Sequence, residues 1–338
     1  MTKHAAPPIV PRGPKEVVHG TRCPMPPDGE LALPSYSDRV RRLLRRWDPR
    51  GLLVTRSQAM AAVARLDAPP DLSTAKELEH ARWVCDAAVH PVLKEAVPSA
   101  FRVCAFLPVT YGLSVAMISS ARLYASTLAF HWLYQTHSAA TRYCNYADTS
   151  RPLSVERMGG AYAASTAAAW GVALGSAALV NRLPRLRLLG MVVPHGAVAC
   201  AGAVSTVMNA ETELQEGVAV VDASGKVAGV SRAAALATVQ SAVLLHGVLV
   251  PGCALLLPVV TTHAVLAPWL MRTGRARFVW PASAALVAGC CAVVTPLVAA
   301  LVPPIVALPP EKPLEPEVRR PTDAAGRPAM LFSSRPLY

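Results

Sequence analysis

The chain has 338 residues, 53% of them hydrophobic and only 16% charged, and its mean hydropathy is positive; a soluble globular domain carries about 25% charged residues. The composition therefore argues against a large soluble protein with buried helices and for one that meets the lipid bilayer. The net charge of +12 comes mostly from arginine outside the apolar stretches rather than from a lysine-rich tail, so nucleic acid is not the expected partner and membrane lipids are.

In chain order, residues 1–34 are rich in proline and polar residues and read as a disordered or docked arm. They lack the apolar core of a secretory signal. Residues 35–100 read as an extramembrane amphipathic helical region. Its first helix lies in "SYSDRVRRLLRRWDPR", with Ser37 as N-cap and Val40, Leu43, Leu44 and Trp47 on one face. Its arginines suit either an anionic membrane surface or a solvated face packed on the protein's own soluble part. Asp48-Pro49 ends it. Thr55 opens a second helix, and Thr74 with Glu77 forms a capping-box pattern for a third.

Windows without Asp, Glu, Lys or Arg run from Val103 to Ala121, Met158 to Asn181, Leu188 to Ala210, Ala233 to Met271 and Phe278 to Pro310. A bilayer crossing needs about 20 apolar residues, so an all-α membrane protein with about five transmembrane helices is expected, near 101–120, 159–180, 189–209, 236–262 and 281–302, within a domain spanning 101–305. The arginine-bearing loops after the second and fourth spans (Arg182, Arg185, Arg187; Arg272, Arg275, Arg277) would lie on the same side as the N-terminal region. Ser154 reads as the N-cap of the second span, and Gly171 and Gly175 as a GxxxG packing face. Between spans 3 and 4, "GVAVVDASGKVAGVS" reads as a short β-hairpin with Gly225 in its turn. Residues 306–338 read as an extended C-terminal tail.

Eight cysteines occur without CxxC or Cys/His ligand spacing, so neither a disulfide framework nor a metal site is expected. A phosphate loop and a nucleophile triad are likewise missing from the sequence, so neither an enzyme nor an ATP-driven pump is expected, and no cofactor. Gln240, with Pro251-Gly252 downstream, marks either a substrate path at a broken helix or a packing kink. His195, His246 and His263 lie in spans as packing residues or as relays. Thr166 either packs or touches substrate. Arg102, at the mouth of the first span, either receives a carboxylate or snorkels to the interface.

The order of these features resembles the sideroflexins. "PLSVERMGGAYAAST", Pro152 to Thr166, is similar to that family's Pro-Leu-Thr-Val, Leu/Met-Gly and Ala-Tyr pattern, preceded by Asn145-Tyr146. Further islands follow the same order over roughly 45–305: Asp48 to Arg50, His90-Pro91 with Glu95, Arg102, Pro108, Val193-Pro194, Glu213 to Gly217, Gln240 and Pro251-Gly252. The resemblance implies an inner mitochondrial membrane transporter of small neutral amino acids, serine above all, with a substrate path drawing on His90, Glu95, Arg102, Asn145, Tyr146, Thr166, Gln240, Pro251 and Gly252. The N-terminus is expected on the matrix side.

This chain also departs from the family. His-Pro-Asp-Thr-Gly-Glu is here His90-Pro91-Val92-Leu93-Lys94-Glu95, an Asn-Gln-Ser-Phe-Asn box is not recognisable in "QTHSAATRYC", Ser205, Val207 and Ala210 replace an Asn, a Pro and an Arg, and Leu244-Leu245 replace a Ser-Arg. The departures imply an alternative, a structural or assembly subunit of a respiratory complex in which transport has been lost.

Overall fold

The computed structural model describes residues 34–68, 74–119, 124–146, 154–183, 193–223, 226–303, 305–311, 313–316, 318–319, 322 and 330–334. The expected N-terminal arm, Gly225 of the hairpin turn, and Arg185 and Arg187 lie outside them, apart from Pro34.

The N-terminal region holds three helices, α1 (Tyr36–Arg46), α2 (Arg56–Asp67) and α3 (Ala75–Ala88). Ser35, not Ser37, caps α1, its hydroxyl accepting from the Asp38 amide at 3.2 Å, because the first free amides lie one turn before the apolar face begins. Both following helices carry reciprocal capping boxes, Thr55 with Gln58 and Thr74 with Glu77. The buried Ala59, Ala62, Ala81 and Val84 lock α2 onto α3. Trp47, just past α1, is buried against Phe106, Val103 and Leu245. Tyr36 and Arg39 of α1 donate to the carbonyls of Leu297 and Ala300 at 2.9 and 2.7 Å. The amphipathic helix is thus docked on the end of the last long helix.

Among the described residues, two helices are long and apolar enough to cross a membrane: α9, Arg232–Arg272, and α10, Ala276–Ala299. Around them stand α4 (Phe106–Ser119), α5 (Tyr124–Cys144), α6 (Val155–Arg182), capped by Ser154, and α7 (Val193–Asn209), followed by the short α8 (Glu211–Glu216). The five expected spans are not reproduced as such. The first is a 14-residue helix preceded by two 3-10 turns, and an additional 21-residue helix, α5, occupies a segment read from sequence as extramembrane. Leu123 to Thr141 in fact carry no Asp, Glu, Lys or Arg, and at 1.5 Å per residue α5 is about 30 Å long, a full bilayer core.

This extra helix changes the topology. The Asn145 amide at the end of α5 donates to the Phe101 carbonyl at 2.8 Å, and Arg157 at the start of α6 bonds Thr212 of α8. With the docking of α1 on the end of α10, these contacts gather the N-terminal region, the hairpin and the last strands at one end of the bundle. Trp280 meets Ser119 at the other end. Arg182, Arg272, Arg275 and Arg277 therefore leave the bundle opposite the N-terminal region, where the sequence had placed them beside it.

Close helix approach also falls elsewhere than expected. A Cβ at Gly171 or Gly175 would meet nothing within 4 Å, whereas one at Gly202 would lie 2.6 Å from the His246 carbonyl oxygen and one at Gly247 3.2 Å from Ala203. Glycine lets α7 and α9 touch backbone to backbone. The α6–α7 contact is made instead by Ala169, Ala173, Ala197 and Ala201.

The hairpin forms, as β1 (Val218–Val221) and β2 (Val227–Ser231). The chain beyond α10 returns to it: β3 (Ile305–Leu308) and β4 (Leu331–Ser334) complete an antiparallel sheet of order β2-β1-β4-β3. Val220, Leu308, Val318 and Leu331 bury its inner face on Ala234 of α9.

The tail also caps α9. One Glu315 carboxylate oxygen accepts from the Arg232 and Ala233 amides at 2.8 and 3.1 Å, satisfying donors that the helix itself cannot. The Ser231 hydroxyl and these amides hold its carboxyl below the usual glutamate range. A depressed carboxyl stabilises the fold above its unfolded pKa of about 4.3 and loses that contribution as pH falls through the lower folded value. Glu315→Ala should cost about 1 kcal/mol at pH 7. Thermal melts of the two proteins should converge as the pH is lowered below 4.3; a constant difference down to pH 3 would contradict this account.

Candidate functional site

Most of the residues singled out in the sequence cluster at the junction between the N-terminal region and the bundle, where their contacts are with backbone. His90 Nδ1 accepts from the amides of Val92 and Leu93, each at 3.1 Å, and the His90 amide donates to the Glu95 carbonyl at 2.8 Å. Within this loop Lys94 takes a φ of 57°, which glycine adopts without strain, and Lys94 is where the family pattern has its glycine. Arg102 is buried. It donates to the carbonyls of Val97, Gly51 and Val54 at 2.9, 2.7 and 2.8 Å, which is a clasp rather than a carboxylate receptor or a snorkelling group.

The opposite wall of the clasp is the Asp48-Pro49-Arg50 turn. Asp48 caps it through the Arg50 amide, and the Arg50 guanidinium, 2.5 Å away, holds the Asp48 carboxyl below its usual range. The Asn145 amide, besides reaching Phe101, donates to the Thr141 carbonyl at 2.7 Å. Tyr146 follows it, half-buried.

Gln240 is exposed on α9, because Ala234, Ala235, Thr238 and Val239 take the inward face. Pro251 is buried beside the half-buried Gly252, and a methyl on Gly252 would stand 4.0 Å from the His195 ring. His263 is exposed. The sequence-derived set is thus split between a structural junction, the outside of α9, and the bundle interior, which receives Thr166, Pro251 and Gly252.

The interior has a polar lining that the sequence reading did not find. Thr127, His131, Gln135, Ser138 and Arg142 recur on α5 at three- and four-residue steps, hence on one face. Gln135, Ser138 and Arg142 face Tyr162 and Ser165 of α6 and Ser205 and Asn209 of α7 across a small cleft, open at one side. Gln135 is 4% exposed and, among the described residues, its Nε2 has no partner; neither ring nitrogen of the fully buried His131 has one there, nor has the Thr166 hydroxyl or His195 Nδ1. A buried polar atom left unsatisfied costs about 1–3 kcal/mol, and polar groups within a membrane bundle mark substrate or ion paths. The available signal was the charge-free stretch Leu123 to Thr141 combined with the i, i+4 spacing of Thr127, His131 and Gln135.

Four π-helical turns interrupt the two long helices, at Leu244–Leu249, Gly252–Leu256, Thr262–Leu266 and Cys290–Val294. Each ends two residues before a proline: Pro251, Pro258, Pro268 and Pro296. Proline has no amide hydrogen and its ring pushes away the carbonyl four residues back, so the turn widens to i→i+5 bonding. Near the last of these, the Thr295 hydroxyl donates to the Cys290 carbonyl at 3.0 Å.

A family model described as "SFXNs: Sideroflexins" matches residues 31–333. The chain is 30% identical to Sideroflexin-1 of Ovis aries over 270 residues, covering 76% of this chain and 80% of that protein. The figures for Sideroflexin-1 of Homo sapiens are the same over 271 residues. Sideroflexin-3 of Mus musculus is 30% identical over 276 residues, 80% of this chain and 84% of its own length. No solved structure matches.

Proposed function

The chain belongs to the sideroflexin family, and from that premise we propose that it is a carrier of small neutral amino acids, serine-type, in the mitochondrial inner membrane, working without ATP hydrolysis. The observation that carries this reading is the set of buried polar atoms without a partner among the described residues, Gln135 Nε2, both His131 ring nitrogens and the Thr166 hydroxyl, close to a hydroxyl-lined cleft. A zwitterion leaving water must exchange its hydration for protein hydrogen bonds. Arg142 can meet its carboxylate, while Ser138, Ser165, Ser205, Asn209 and the Gln135 amide can serve its ammonium and hydroxyl. The π-helical turns around Pro251 and Pro258 supply bending points beside that route, suited to alternating access.

In the sequence, the connections that follow α4, α6 and α9 carry arginine and no acidic residue (Arg122; Arg182, Arg185 and Arg187; Arg272, Arg275 and Arg277), and those three helices end away from the N-terminal region. Short basic loops face the cytoplasm-like compartment. The proposed orientation therefore turns that end to the matrix and the N-terminal region away from it, the reverse of the expectation from a five-span count.

The purified chain reconstituted in vesicles is expected to take up labelled serine saturably with no nucleotide present. Background uptake only, from vesicles holding folded protein, would overturn the carrier reading. The second reading is a respiratory-complex subunit without transport. It draws on Leu245, which replaces a polar family position and is buried among Trp47, Val103 and Val250, and it would be supported by comigration with such a complex on native gels alongside unchanged serine flux.

A further inference from the structure

The turn joining the two membrane-length helices concentrates charge without any counter-charge. Arg272, Arg275 and Arg277 are all exposed, and none of them forms an ion pair among the described residues. The turn is rigidly made: the Arg275 amide donates to the Leu270 carbonyl at 2.8 Å, the Gly274 amide to Met271 at 3.1 Å, and the Thr273 hydroxyl to Trp269 at 3.0 Å. Gly274 takes a φ of 71°, which lets the chain reverse within so few residues. Trp269, Met271, Phe278 and Trp280 flank it with their side chains exposed, and the Arg277 guanidinium lies 4.9 Å from the centre of the Phe278 ring.

Because it links α9 to α10, this turn must emerge at a membrane surface if those helices cross, which is the part of the proposed function on which the inference rests. Exposed tryptophans at that level are the mark of the headgroup layer. Arginine offers a planar fork of donors that matches phosphate oxygens two at a time, which lysine does not. At the other end of the bundle two exposed arginines of α1 are met by carboxylates, Arg41 by Asp38 and Arg45 by Glu79, whereas the α9–α10 turn gathers three exposed arginines within six residues and no acidic residue.

We propose that Arg272, Arg275 and Arg277 form a binding site for the phosphate groups of anionic phospholipids, with Trp269 and Trp280 seated beside the headgroups. The site fixes the α9–α10 turn, and with it the proline-broken helices, to lipid of one charge type.

The full chain, in neutral detergent, would be titrated with fluorescent phosphatidylglycerol and with phosphatidylcholine carrying the same fluorophore. Phosphatidylglycerol is expected to bind in preference. The triple change Arg272→Gln, Arg275→Gln, Arg277→Gln should weaken it on the order of 100-fold, about fivefold for each arginine lost at a charged surface. The triple lysine variant should recover only part of that loss, whereas Arg41→Gln with Arg45→Gln should leave binding unchanged. If the triple variant does not fold, the single changes should each show the smaller loss. Wild-type affinity in the glutamine variants, equal binding of the neutral lipid, or full competition by inorganic phosphate at equal phosphate concentration would overturn the proposal. A chain that binds the anionic probe in this way yet carries no serine would refute the carrier reading and leave this site standing.

Discussion

Gln135→Leu and His131→Leu should each lower serine uptake about 10- to 100-fold, the equivalent of one or two hydrogen bonds to a polar ligand, while leaving the melting temperature unchanged or higher. This combination separates a ligand site from a structural one. Both side chains sit in the interior with polar atoms that have no partner among the described residues, so the fold already bears their desolvation cost and leucine relieves it. A structural role would give the opposite pattern, in which the variants unfold more easily and residual uptake tracks the amount of folded protein. Stability gained where activity is lost is the expected trade at a functional site. Uptake equal to wild type in either folded variant would remove that residue from the substrate path.

Arg102→Met should be the most destabilising single change among these residues, about 3–5 kcal/mol, because it strips the charged donor from the carbonyls of Val97, Gly51 and Val54 and leaves them buried. Lysine at this position should restore only part of the loss, since one ammonium cannot reach three carbonyls in the arginine geometry. Limited proteolysis should then cut near residues 68–74 well below the temperature at which the bundle unfolds, reporting release of α1, α2 and α3. If Arg102 instead met a substrate carboxylate, the variant would melt normally and show a raised KM for uptake.

The two variants bear on how the site could be read. Arg102 looked like a binding residue because charge at the mouth of a span is rare and usually functional. What it touches, however, is decided by residues about fifty positions earlier in the chain. The Gly51 carbonyl reaches it because Gly51 lets the turn sit against Cys104, where an added Cβ would come within 2.9 Å of the sulfur. In the other direction, the polar face of α5 was legible in spacing but not in significance. The same Thr127, His131 and Gln135 pattern on a helix at the protein surface would merely be solvated.

Sequence alone determined the features whose causes are local. Capping boxes at Thr55 and Thr74 form because the partners are three residues apart and already neighbours in the first helical turn. Strands form on either side of Asp222 and Lys226 because alternating valines suit a pleated surface, and the family emerged from collinear short motifs. Tertiary structure decided that α5 stands in the bundle and so reverses the end at which the arginine turns emerge. It also decided that Gly202 and Gly247 rather than Gly171 and Gly175 mark a backbone-to-backbone helix contact, and that β3 and β4 return to the hairpin while Glu315 caps α9. Each of these joins residues far apart in the chain, so each depends on which surfaces are left to bury once the helices pack. Charge spacing and periodicity describe one element at a time and carry no record of that competition.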